Sequence, residues 1–110
     1  MKLPNADRAI VPQAKIADYL LSQTHPKGKG KAGFFLPLGF TPAAWNVMAD
    51  ALRNQAQVND VSTRTAVSDG ERYTVIGPID TPSGQRRVVR TVWQIDTDSD
   101  LPRFITAYPA

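Results

Sequence analysis

The hydrophobic rhythm of the chain changes near its middle. Up to about residue 58 apolar residues recur three and four apart, the spacing of one helix face; from about residue 60 they alternate with polar ones, as in a half-buried strand. In "VPQAKIADYLLSQ" (11–23), Ile16, Tyr19 and Leu20 form an i, i+3, i+4 stripe, and Pro12 suits a first helical turn, where its missing N–H costs nothing. This predicts a short amphipathic helix ending before His25-Pro26. A second helix is predicted over "FTPAAWNVMADALRNQAQ" (40–57), with Thr41 as N-cap, Pro42 in the first turn and Trp45, Met48, Ala49, Leu52 and Ala56 on the buried face. Between them lies "HPKGKGKAGFF" (25–35). Glycine inside a helix costs about 1 kcal/mol relative to alanine, so its Gly-Lys alternation predicts a loop. "KAGFFLPLGF" (31–40) reads as a helical turn or a packed extended segment, and Pro37 keeps any helix there short.

The second half predicts four strands, "DVSTRTAV", "ERYTVIGPI", "RRVVRTVWQID" and "RFITAY", rich in Val, Ile, Thr and aromatics. Their separators "SDGE", "DTPSGQ" and "DTDSDLP" are built from turn residues, and such short connections make an antiparallel meander. Alternation sets Val89, Thr91, Trp93 and Ile95 on the more apolar side of the third strand, toward the helices, and Val88, Arg90, Val92 and Gln94 on the other. For the fourth strand, alternation does not choose between Phe104, Thr106, Tyr108 and Arg103, Ile105, Ala107. Helices first and strands after predict an α+β fold: N-terminal helices packed on one face of a four-stranded antiparallel sheet. The expected organisation is one domain over residues 1–110, helical over about 8–58 and β over about 60–109, without internal repeat, linker or low-complexity segment.

Composition narrows the chemistry. With 42% hydrophobic and 21% charged residues the chain has enough apolar surface for an ordinary globular core. No apolar run approaches the roughly 20 residues that span a bilayer, and "MKLPNADRAIVP" lacks the apolar stretch of a signal peptide, so a cytoplasmic protein without membrane contact is expected. There is no cysteine and one histidine, which excludes disulfides and thiol catalysis and leaves no conventional zinc set; no cofactor is expected. The formal charge of +3 favours an anionic partner. Lys27, Lys29 and Lys31 cluster, as do Arg86, Arg87 and Arg90, while acids gather at Asp96, Asp98 and Asp100. A nucleic-acid patch and plain solvated charge both fit that distribution.

Familiar motifs do not match. "GKGKAG" lacks the GxxxxGK[ST] spacing and follows no strand, so it is not a phosphate-binding P-loop. A single histidine in a Gly/Lys loop gives no context for a Ser-His-Asp triad. Asp96, Asp98 and Asp100 are spaced like the start of a calcium loop but lack its glycine and closing glutamate, so they read as a hairpin turn.

The runs "LPNADRAIVPQAKIADYLL", "KGKAGFFLPLGF", "GERYTVIGPIDTPSGQRRVVRTVWQID" and "PRFITAYP" are similar throughout to a family of small uncharacterised bacterial domains. Members of that family occur as solitary short proteins beside another small gene, in a toxin–antitoxin-like arrangement, and as appendages of phage-related or secreted polymorphic toxins. The order of two helical segments, a Gly/Lys connection with His, a four-stranded meander and a closing "RFITAYP" also resembles the superfamily of barnase, EndoU, colicin D and RelE-like ribonucleases. The start of the chain at the family's first motif favours a complete protein.

That resemblance implies metal-independent RNA cleavage by attack of a ribose 2′-OH on the adjacent phosphate, with RNA, transfer RNA among the candidates, as substrate and an antitoxin or immunity protein as partner. The reaction needs a base for the 2′ proton, an acid for the leaving 5′ oxygen, and donors for the charged phosphorane. On this reading His25 is the acid or base, and Lys27, Lys29 and Lys31 hold phosphates, Lys31 foremost because it lies closest to the buried segment. Arg90 or Arg103 grips a phosphate bidentately, and Thr106 and Tyr108 match the terminal motif and supply a hydroxyl. Each has a plainer reading. A histidine before proline is often a surface residue, the lysines solubilise a packed "AGFF", and Thr106 and Tyr108 suit a strand for their β propensity alone. Trp45 and Trp93 read as core. Arg90, flanked by valines, either pairs with an acid or lines an open face. The alternative in another class is a non-catalytic RNA- or protein-binding module.

Overall fold

The computed structural model describes residues 1–110 throughout. The alternating second half forms β1 (Val61–Val67), β2 (Gly70–Ile79), β3 (Arg87–Asp96) and β4 (Arg103–Pro109), an all-antiparallel sheet in the order β1-β2-β3-β4. Val89, Thr91 and Trp93 are buried on the face toward the helices, as alternation expects, while Val88 and Arg90 are exposed on the other. β4 resisted a choice of face because its alternation is broken. Val92 pairs with Thr106 but Trp93 pairs with Phe104, so Ile105 is the extra residue of a β-bulge. Phe104 and Ala107, three apart, both reach the core, and Thr106 lies at the sheet edge.

The first half folds into α1 (Gln13–Lys15), continued by a π-helical turn (Ile16–Leu20), then α2 (Lys29–Phe35) and α3 (Trp45–Val58). On α3, Met48, Ala49, Leu52 and Ala56 are buried over β2, and each large apolar side chain so buried stabilises by about 1.5–3 kcal/mol. Trp93 is fully buried, whereas Trp45 packs only half-buried against the core. A fully buried Gln55 from the same helix donates to the Val75 and Val89 carbonyls at 3.1 and 3.3 Å, and accepts from Thr91 Oγ1 at 2.8 Å.

Three expectations for this half are corrected. The Gly-Lys stretch is not a loop to its end, because Lys29–Phe35 is helical. Ala32 and Phe35 lock that helix into the core, and Gly30 and Gly33 face open space, so packing outweighs the glycine cost. α3 begins at Trp45; Thr41 Oγ1 instead accepts the Ala44 N–H at 3.2 Å, capping a turn ahead of the helix. Pro12 sits extended just before α1 rather than inside its first turn.

The N-terminal strap is part of the core as well. Leu3, Ala6, Ala9 and Val11 are buried, and Ile10 adds a parallel bridge to the β4 edge through Ile10 N–H to Pro102 O and Phe104 N–H to Ile10 O, both 2.8 Å. No helix is long and apolar enough to cross a membrane.

Candidate functional site

The site grows from the stripe Ile16, Tyr19, Leu20. Ile16 and Leu20 are fully buried, and Tyr19 stands at the margin of the core on the π turn, closed by the Leu21 N–H to Ile16 O bond of 2.9 Å. Single π turns inside α-helices occur often at functional sites. From there the Tyr19 hydroxyl reaches the bulged edge of β4, 2.9 Å from Thr106 Oγ1. Lys15, one turn earlier, donates from Nζ to the Ile105 carbonyl at 3.2 Å, and its ammonium lies 5.4 Å from the Tyr19 ring centre. Lys31, from α2, brings a second ammonium to 5.4 Å from the same ring while donating to Lys27 O at 3.3 Å.

Two cations over one phenol are a cation–π arrangement with an electrostatic consequence. Burial pushes the Tyr19 hydroxyl up, but the Thr106 hydrogen bond and the Lys31 and Lys15 ammonium groups together outweigh it, and the phenol lies below its ordinary value.

The His25–Gly28 turn is laid directly on this helix. A Cβ on Gly28 would fall 1.9 Å from the Tyr19 carbonyl oxygen, so only glycine lets the two backbones meet. The Lys27 and Gly28 amides donate to His25 Nδ1 at 3.0 and 3.1 Å, which leaves Nε2 as the free corner of the imidazole. That ring meets Tyr19 edge-on, centroids 5.1 Å apart.

Together these parts wall an open cleft of about 1000 Å³, lined by Lys15, Asp18, Tyr19, His25, Lys27 and Thr106 among others. Two lysines face one carboxylate there, so the cleft suits an anion. It offers cations, hydroxyls and an imidazole, the groups that grip a phosphate and move its protons. No three His, Cys, Asp or Glu side chains come together as a ligand set for a metal ion.

Of the residues expected from sequence, His25, Lys27 and Thr106 line the cleft and Lys31 reaches its tyrosine. Lys29 is exposed at the start of α2 and does not line it. Arg90 and Tyr108 are cross-strand neighbours in a separate hollow of about 240 Å³ on the uncovered sheet face, with Thr74 and Ile76. Arg103 is held by Asp96 through two contacts of 2.8 and 3.2 Å, so its fork is already engaged. Sequence reasoning missed Lys15, Asp18 and Tyr19. The available signal was a tyrosine in an otherwise aliphatic stripe, flanked by Lys15 and Asp18.

A chain of the contact-dependent growth inhibition toxin–immunity protein complex from Klebsiella pneumoniae 342 shares this fold, with a TM-score of 0.71 and 20% identity over 93% of this chain and 100% of that one. No curated protein matches the sequence. Residues 2–110, nearly the whole chain, match the family described as a domain of unknown function, DUF6883, and the protein belongs to that family.

Proposed function

We propose that the protein is a metal-independent endoribonuclease toxin that cleaves RNA by attack of a ribose 2′-OH on the neighbouring phosphate. The observation that carries this reading is the meeting of three lysines, an imidazole corner and a hydroxyl pair around one open cleft. Lys15, Lys27 and Lys31 hold the scissile phosphate as point charges. His25 Nε2 donates to its non-bridging oxygens, where charge accumulates in the phosphorane, and Thr106 Oγ1 holds the Tyr19 hydroxyl beside it. Arg90 and Tyr108 serve a neighbouring phosphate of a longer strand. The likeness in fold to a chain of a toxin–immunity complex supports the toxin part of the reading, and an immunity or antitoxin protein is the corresponding partner.

The test is incubation of the purified protein with total cellular RNA and isolated transfer RNA in EDTA, alongside His25→Ala and Thr106→Ala variants that circular dichroism shows to be folded. Cleavage leaving 2′,3′-cyclic phosphate and 5′-hydroxyl ends, reduced at least tenfold in either variant, is the expected result. Absence of cleavage of any RNA, with harmless expression of the protein, overturns it. A protein-binding module is the second reading, favoured by the sheet face on which Ile76 and Val88 stay exposed around Arg90. On that reading neither substitution weakens partner binding.

A further inference from the structure

Resting on the ribonuclease reading, the proton-transfer step has a claimant other than the histidine. A base must offer the ribose 2′-OH a lone pair. His25 Nδ1 already accepts two backbone N–H groups, and a neutral imidazole bonded that way carries its proton on Nε2, so its free corner is a donor. Asp18 is the only carboxylate lining the cleft, and no hydrogen bond fixes its direction. The group with a lone pair and a fixed position is the Tyr19 oxygen. It is aimed by Thr106 at 2.9 Å, carried on a π turn, and seated against Gly28.

We propose that Tyr19 is the catalytic base: its phenolate oxygen, accepting from Thr106 and flanked by the Lys15 and Lys31 ammonium groups, takes the proton of the attacking 2′-OH. As the 2′-O–P bond forms, that proton moves to Tyr19 Oη. The P–O5′ bond breaks, and the departing 5′ oxygen takes a proton from water. The hydroxide so formed removes the proton from Tyr19 and restores the phenolate. The balance is one RNA phosphodiester converted to a 2′,3′-cyclic phosphate and a 5′-hydroxyl, with no oxidation or reduction. The charged and titratable groups about the phenol are Lys15 and Asp18 from its own helix, His25 and Lys27 from the following turn, and Lys31 from α2; β4 contributes the neutral Thr106. Cations outnumber the single acid. This is the setting in which a phenol ionises early, and the depression of Tyr19 agrees with it.

The experiment measures single-turnover cleavage of a short RNA against pH for wild type and Tyr19→Phe, which keeps the ring and its packing. The wild-type rate climbs with pH and levels as the phenol ionises, whereas Tyr19→Phe loses about 10²–10⁴-fold and the climbing limb with it. Placing 3-fluorotyrosine at position 19, a more acidic phenol of nearly the same shape, moves the limb to lower pH, which a merely structural tyrosine would not do. Phenolate absorbance gives a readout free of RNA. Of the three tyrosines, the transition missing from Tyr19→Phe must be the lowest. If wild type cleaves and Tyr19→Phe stays within about threefold of it, or if Tyr19 ionises no earlier than the other two, the assignment of Tyr19 falls while the ribonuclease reading stands. If wild type cleaves no RNA, the ribonuclease reading falls and the base assignment with it.

Discussion

Replacing Thr91 by valine tests the dry polar seam between α3 and the sheet. The substitution keeps the branched shape and deletes one hydroxyl. That hydroxyl donates to Gln55 Oε1 at 2.8 Å and accepts from Trp93 Nε1 at 2.8 Å, and all three side chains are fully buried. No buried side-chain nitrogen or oxygen in the chain lacks a partner. T91V would strand two at once, an amide oxygen and an indole N–H. Each buried orphan costs about 1–3 kcal/mol, and the greater apolarity of valine offsets about 1, so a loss near 3 kcal/mol is expected. That is a large share of the roughly 5–15 kcal/mol that holds a domain together. Gln55→Met should cost less, about 1–2 kcal/mol, because the Thr91 hydroxyl then has the Val75 carbonyl at 3.5 Å to turn to. The double variant should cost less than the sum, since the two changes delete one shared bond. Urea unfolding followed by far-ultraviolet circular dichroism reads this directly. With a slope of about 1–3 kcal/mol per molar, T91V moves the midpoint down by about 1–3 M. A midpoint within about 0.3 M of wild type at unchanged slope would refute a closed, water-free seam. The seam also bears on the cleft, because Trp93 stacks edge-on with Phe104 at 5.3 Å, where the bulge leading to Thr106 begins.

Two further outcomes follow from the same geometry. Gly28→Ala drives a Cβ into the Tyr19 backbone and should destabilise by about 1–3 kcal/mol, whereas Gly33→Ala, with nothing within 4 Å, should stabilise by about 1 kcal/mol; thermal melts that shift in the same direction would contradict the seating of the loop on the π turn. The Arg103 guanidinium, helped by Gln94, holds the Asp96 carboxyl below its ordinary range against the opposing effect of burial. A depressed folded value means stability that is present above the unfolded value and lost as the pH drops from about 5 through the folded one, so wild type should lose melting temperature over that window more steeply than Asp96→Asn. Parallel slopes would show the ion pair to be inert.

The strands were legible because nothing competes with them locally. Period-two alternation, β-branched residues and turn-forming separators agree, and the register follows from burying one face. Where two signals disagreed, local reasoning failed. In α2 the glycine penalty opposed the anchoring of Ala32 and Phe35, and the anchoring belongs to tertiary contacts that no window of sequence contains. Gln55 is a similar case. It sits in an apolar stripe as a polar exception, and only the Thr91 hydroxyl and strand carbonyls beneath it explain why it is there.

The cleft was half legible, and the division has one physical cause. His25, Lys27 and Lys31 stood out through the family resemblance, the crowded lysines by themselves fitting solvated charge equally well. Tyr19 did not, because helical spacing assigns it to the core, and ideal spacing is what the chain abandons at that point. A π turn stands where regular α-helix was expected in the first half, and a bulge breaks the pleat of β4 in the second. Each irregularity is local and unremarkable alone. Together they bring a phenol and a hydroxyl to 2.9 Å across 87 positions of sequence, with lysines from α1 and α2 alongside. Regular elements can be read from pattern because pattern is what makes them regular. In this chain the hydroxyl pair of the cleft is assembled by the two departures, which is why Thr106 could be named without its partner.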